Sequence, residues 1–186
     1  MEKLEIFELI ERMAALIRSE ERKKCTELGL QPVHFQVLDY LSRCNRYSDT
    51  PAALANYLGM TRGTVSQTLL LLEKKGFLEK KSDSNDRRMV HLHLLPEGAA
   101  ILTKARSTEL FKRATLLLKN YHIDQNEIIF ANALLALQKA HQSQSFGLCK
   151  SCRHFTPTGS GFVCDLTKEP LSQNDSEKIC QEHSVA

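Results

Sequence analysis

Leu54-Ala55-Asn56-Tyr57-Leu58-Gly59-Met60-Thr61-Arg62-Gly63-Thr64-Val65-Ser66-Gln67 is the stretch that decides the fold. Thr50-Pro51 opens a short apolar helix before it, with a capping hydroxyl and a proline at the first helical position. Gly59 ends that helix, because glycine enters the left-handed conformation that closes a helix without a Cβ penalty. After the turn at Gly59-Met60, Thr61 caps a second, longer helix. Its Val65, Leu69 and Leu72 recur on one face, and Gly76 closes it. Short helix, tight turn and longer helix make a helix-turn-helix. The period then changes. Residues 77–81 and 88–94 alternate as strands do, joined by the polar residues 82–87, so a hairpin wing is expected over about 77–94. In its second strand Val90, Leu92 and Leu94 face inward. His91 and His93 fall on the polar side as surface histidines.

Working outward, residues 3–28 read as a long helix. Ile6, Leu9, Ile10, Met13, Leu16 and Ile17 share one face, and Gly29 stops it. Pro32 starts a second helix carrying Val33, Phe35, Val37, Leu38 and Leu41, followed by a polar loop over 45–49. Beyond the wing, Pro96-Glu97-Gly98 starts a helix expected to run to about residue 120. Another helix runs from 124 to about 145. Its Ile128, Leu134, Leu135 and Leu137 are apolar almost all round, a pattern that asks for burial on several sides, here by a second subunit. From Phe146 the composition turns to Cys, Gly, Ser, Thr and Pro. The expected domains are therefore 1–145 and 146–186, and the expected fold class is mainly α.

Of the 186 residues, 42% are hydrophobic and 25% charged, which suits a globular chain rather than a disordered one. No apolar run approaches the roughly 20 residues of a membrane span. Residues 1–5 show no secretory pattern, so a cytoplasmic location is expected. No glycine-rich phosphate loop or nucleophile motif appears, so no enzyme is expected. Residues 61–93 hold seven Lys or Arg against four Asp or Glu; that balance of +3 equals the net charge of the whole chain. The basic character sits on the helix-turn-helix and wing, where an acidic partner would dock.

These residues also carry a family resemblance. The stretch 54–61 is joined by Val65-Ser66, Leu72-Glu73-Lys74-Lys75-Gly76-Phe77, Asp83, Asp86-Arg87-Arg88, Leu94 and Gly98, with Phe35-Gln36-Val37-Leu38 upstream. The pattern resembles the MarR family of winged helix-turn-helix transcription regulators over roughly residues 4–145. The resemblance implies a homodimer held by the long helices at both ends, binding double-stranded DNA at a pseudo-palindromic operator. Three positions depart from the family: Asn85 replaces a usual arginine in the wing, Leu95 a usual threonine, and Gln67 an often basic residue. Such changes alter the target sequence rather than abolish binding.

The chemistry of a reading helix points the same way. Its first turns and outward face meet base edges, which here means Arg62, Gly63, Thr64, Ser66 and Gln67. Gln pairs bidentately with adenine and Arg with guanine. Lys74, Lys75, Lys80, Lys81, Arg87 and Arg88 suit phosphates, which position the protein without reading sequence. Arg88 has a second role open to it, pairing with Asp86 to hold the wing. The expected function is a sequence-specific transcription regulator, a homodimeric repressor, with room for a small-molecule effector. A protein-interaction adaptor with a structural zinc tail is the alternative. A thiol oxidoreductase using Cys149-x-x-Cys152 is a weaker one, since no βαβ unit surrounds the motif.

Four of the six cysteines crowd into the last 38 residues, spaced C-x2-C-x11-C-x15-C. In a cytoplasmic chain such clustering favours metal or redox chemistry over structural disulfides. Cys149, Cys152, Cys164 and Cys180 are the expected metal ligands, with His154 and His183 as alternates. Ser172 and Asp175 resemble a capping box, which would place Cys180 and His183 one turn apart on a helix. Zinc is the expected ion, an iron–sulfur cluster the alternative, and free or redox-active thiols the remaining possibility. A tail so poor in aliphatic residues would be metal-stabilised. Cys25 and Cys44 read as small buried hydrophobes.

Overall fold

The computed structural model describes residues 6–83, 86, 88–106, 112–114, 116, 127–140, 146–159 and 161–184. Helix α1 (Ile6–Glu27) leads into α2 (Pro32–Arg43), α3 (Pro51–Leu58) and α4 (Arg62–Lys74). The wing is an antiparallel pair, β1 (Leu78–Ser82) and β2 (Val90–Leu94), in the register Leu78↔Leu94, Lys80↔Leu92 and Ser82↔Val90. Helix α5 (Pro96–Arg106) follows, then α6 (Glu127–Ala140). The rest of the helix expected up to residue 120 lies mostly outside the described residues, as do the expected ends of the helix over 124–145.

The core lies where the amphipathic faces meet. Val37, Leu38, Tyr40 and Leu41 of α2 pack with Leu54 and Ala55 of α3. Val65, Leu69 and Leu72 of α4, Leu78 and Leu92 of the wing and Leu102 of α5 complete the cluster. On α4 the buried positions are 65, 68, 69 and 72, the three-and-four spacing of one helix face. Gly59 adopts φ +63°, and Thr61 Oγ1 accepts the Thr64 N–H at 3.2 Å. Both ends of the turn are thus fixed by residue types that the chain supplies locally. Gly98 lets α5 approach the base of the wing, since a Cβ there would stand 2.1 Å from the Phe77 carbonyl oxygen.

The tail is built from short strands and turns. β3 (Gly147–Leu148) pairs with β7 (Ile179–Cys180). β4 (Phe155–Thr158), β5 (Gly161–Cys164) and β6 (Pro170–Leu171) form a small sheet, and α7 (Gln173–Ser176) is a single turn. The capping box is present, with Ser172 Oγ accepting from Asp175 N and the Asp175 carboxylate accepting from Ser172 N. The helix behind it ends at once, so Cys180 sits on a strand opposite Gly147 rather than beside His183 on a helix. A capping box specifies where a helix starts, not how long it runs. The tail also leans on the winged helix: Phe146 and Ile179 pack against the main core, and Phe146 meets Tyr57 edge-on at 5.1 Å. This docking supplies part of the burial that the tail's own few aliphatic residues do not.

Candidate nucleic-acid interface and thiol cluster

Helix α4 turns Arg62, Gly63, Thr64, Ser66 and Gln67 to solvent at its N-terminal end, with Lys74 exposed near its C-terminal end. Arg62, Ser66, Lys80 and Arg88 line one cavity of about 530 Å³ between α4 and the wing, and Gln181 of the tail lines it as well. The helix N-terminus with its free N–H groups, the arginine and the lysine make that cleft attractive to anions. Thr64 differs from expectation in part: its hydroxyl stands 2.9 Å from Thr61 Oγ1 and belongs to the cap.

Several of the cations have partners within the chain. Lys80 Nζ meets Glu73 at 2.9 Å and Lys81 meets Glu79 at 2.5 Å. Arg88 Nε and Nη2 reach the two Asp86 oxygens at 3.0 and 3.1 Å. That bidentate pair is the wing-holding role weighed above, and it pulls the exposed Asp86 carboxyl below its ordinary range. Arg87 lies outside the described residues, and so does Asn85. Exposed pairs of this kind are weak and exchange readily for phosphate.

One contact escaped the sequence reading. His91 is not a plain surface histidine: its Nδ1 lies 2.5 Å from Asp49 Oδ1 and its Nε2 3.4 Å from Asp83 Oδ2. The Leu92 N–H also donates to the Asp49 carbonyl at 2.7 Å. The wing is therefore tied to the loop that carries the N-cap of α3. The hydrogen bond to Asp49 raises the His91 pKa, and burial raises that of Asp49 even though His91 pulls it down. No local pattern links residues 42 apart.

At the tail, Cys149, Cys164 and Cys180 line a cavity of about 30 Å³ together with Asn45 and Ser48 of the α2–α3 loop. Burial pushes the Cys149 thiol up to about 12, and Cys180, Cys164, Cys152 and Asp175 add to the rise. All six cysteines are free thiols. Two tight turns present them: Cys152 N donates to Cys149 O, and Lys168 N donates to Cys164 O. Among the described residues, no three His, Cys, Asp or Glu side chains converge closely enough to hold an ion as they stand. The alternates face elsewhere. His183 Nε2 is 3.0 Å from Ser151 Oγ, and His154 Nε2 accepts from Arg153 Nε at 3.3 Å. Cys25 and Cys44 are buried, and burial raises the Cys44 thiol to about 12.

Among the described residues no helix is long and apolar enough to cross a membrane. Comparison with known proteins bears on the winged part. The MarR family matches residues 28–89. An uncharacterized HTH-type transcriptional regulator of Bacillus subtilis, YsmB, is 26% identical over 131 residues, covering 69% of this chain and 86% of that protein. The transcriptional repressor MprA of Escherichia coli K12 is 29% identical over 90 residues, 48% of this chain and 51% of its own. The fold is similar to apo MarR of E. coli, with a TM-score of 0.58 at 23% identity over 72% of this chain and 99% of that one. A MepR–DNA complex from S. aureus gives 0.56 at 21% identity, over 74% and 99%.

Proposed function

We propose, from the match of residues 28–89 to the MarR family, that the chain is a regulator of that family, one that binds duplex DNA as a homodimeric repressor. The observation that carries this reading is the cleft between α4 and the wing, where Arg62, Ser66, Lys80 and Arg88 gather at the capped start of an outward-facing helix. Arg62, Ser66 and Gln67 read base edges in the major groove. Lys74, Lys80, Lys81, Arg87 and Arg88 take phosphates. Gly63 and Thr64 keep the helix start narrow and capped against the DNA.

The dimer has its own support. Ile6, Leu9, Ile10 and Met13 of α1 line an apolar groove with Ile129, Phe130 and Ala133 of α6, and Ile6, Leu9, Met13, Ile129 and Phe130 are exposed in the single chain. A patch of that kind calls for a second subunit. The tail belongs to the same reading as a module held by a thiolate-bound metal, zinc ahead of an iron–sulfur cluster. It is either a static staple or a sensor of metal or oxidant.

The test is binding of the full chain to genomic duplex fragments across a salt series. A dimer selecting half-sites about one helical turn apart is expected, with affinity falling steeply as salt rises. A monomer at micromolar concentration with no preference among fragments would refute it. DNA affinity of metal-loaded, chelated and Cys152→Ser protein then separates sensor from staple: unequal affinities support a sensor, equal ones a staple.

A further inference from the structure

The tail reaches the cleft between α4 and the wing. Gln181 lines that cleft beside Thr50, Pro51 and Ala52 at the start of α3. Its place there is fixed from behind. The Gln181 backbone N–H donates to Ser48 Oγ at 2.9 Å, and its side-chain Nε2 donates to Tyr47 O at 3.2 Å. Next to it, Asn45 N donates to Ile179 O at 2.9 Å. Arg46 Nη2 and Tyr47 Oη both donate to Pro170 O, at 2.8 and 3.0 Å. Asn45 and Ser48 are fully buried under this seam between tail and α2–α3 loop. A side chain held in advance loses little freedom when it meets a ligand.

Charge selects the ligand. The cleft is lined by Arg62, Lys80 and Arg88 and, among the described residues, by no carboxylate. A neighbouring cleft of about 510 Å³, where the tail meets the wing, is lined by Asp49, Asp83 and Glu169 and would repel an anion. Glu182, next in the chain, borders the small thiol cavity and not the cationic cleft. The start of α3 has few donors of its own to offer. Pro51 has no N–H, the Ala53 N–H is taken by Thr50 Oγ1, and the Leu54 N–H by Thr50 O. A primary amide carries two N–H groups, and Tyr47 O takes one of those on Gln181. The second is the donor that the tail adds to the cleft.

We propose that Gln181 contacts a backbone phosphate of duplex DNA, so that the tail is a third element of the DNA-binding surface beside α4 and the wing. The proposal rests on the reading of the chain as a duplex-binding regulator. The MarR family match ends at residue 89, so this contact is an addition to the winged helix and no part of it. An amide on a phosphate positions the duplex and reads no base.

The experiment uses the full chain, a genomic duplex that the parent selects and a random duplex of equal length, across a salt series. Gln181→Ala should weaken binding to both by about two- to ten-fold. Gln181→Glu should weaken both further. Gln181→Lys should tighten both and steepen the slope of log affinity against log salt by about one. Opposite signs for Lys and Glu mark a contact, since a loosened seam would weaken binding in every variant. Tyr47→Phe removes a bond to Pro170 outside the cleft and should leave the salt slope unchanged. The unmutated protein covers a poorly folded variant: duplex should slow amide exchange at 179–182 together with 50–52. A parent that binds no duplex refutes the DNA-binding reading and this contact with it. A parent that binds, with Gln181→Lys no tighter and no steeper in salt, overturns the contact alone. So does a Tyr47→Phe slope that shifts as much as that of Gln181→Lys, or tail exchange that duplex leaves unchanged.

Discussion

The winged helix and the tail are folded by different means. The winged helix has one continuous apolar cluster running from Val37 to Leu102, to which every one of its elements from α2 to α5 contributes. The tail buries little beyond Cys149, Leu171, Asp175 and Ser176. Its order comes from turns, strands of two to four residues and attachment to its neighbour. In the first region periodicity and caps dictate structure, so sequence and fold read almost alike. In the second, the chain's path depends on partners far along the sequence.

The largest test of that contrast is in the cores. Leu69 is 1% exposed and central, so Leu69→Ala should lower the unfolding free energy by about 2–5 kcal/mol in a urea titration. Phe155 and Phe162 stack at 4.6 Å in the tail but are only half-buried. Phe162→Ala should cost about 0.5–1.5 kcal/mol and leave the α4 and wing transition in place. Equal losses for the two variants would mean that the tail is as much a part of the core as α4 is.

Next in size is the proposed reading surface. Gln67→Ala should relax preference at one operator position by about 1–3 kcal/mol, seen by comparing affinities for single-base variants at fixed salt. Lys80→Ala should weaken all sequences alike and flatten the salt slope. A Gln67→Ala protein with unchanged base preference would mean that α4 enters the groove on another face.

What was legible follows the same division. Gly59, Thr61, Thr50-Pro51 and the 65-69-72 spacing act within one or two turns of chain, and the observed ends of α3 and α4 agree with them. The wing strands begin one and two residues later than expected, since Phe77 and Met89 serve the turns that flank them. Cys180 was misplaced because β7 is defined by Gly147, over thirty residues upstream, and no local pattern carries that pairing. Asn45 and Ser48 looked like ordinary loop residues because what buries them is the tail. His91 looked like a surface residue because its partner Asp49 lies on the far side of α3 and α4 in sequence.

Helix caps come third. Thr61 begins a helix of 13 residues whose far face is in the core, so Thr61→Ala should remove about 1 kcal/mol from global stability. Ser172 begins a single turn of four residues. Ser172→Ala should speed amide exchange locally without moving the global unfolding midpoint. A Ser172→Ala protein destabilised as much as Thr61→Ala would extend the cooperative unit into the tail.

The smallest effect sits where the two regions share the α2–α3 loop. His91 holds the wing side of that loop through Asp49 and Asp83, with His93 also near the Asp49 charge. Its raised pKa means that the folded state holds this proton more tightly than the unfolded chain does. The contribution is complete below the unfolded value of about 6.5 and is lost as pH rises through the folded one. Asp49, raised by burial, acts with the same sign in the acid range. Stability should therefore decline from about pH 5.5 to about pH 8, by less than about 1 kcal/mol for a partly solvated pair. His91→Gln cannot titrate and should flatten that slope, read from urea midpoints at each pH. It leaves the tail untouched, so its amide exchange at 179–183 should match the parent. A parent protein that gains stability over this range, or a variant with an undiminished decline, would show that His91 does not tie the wing to the loop in solution.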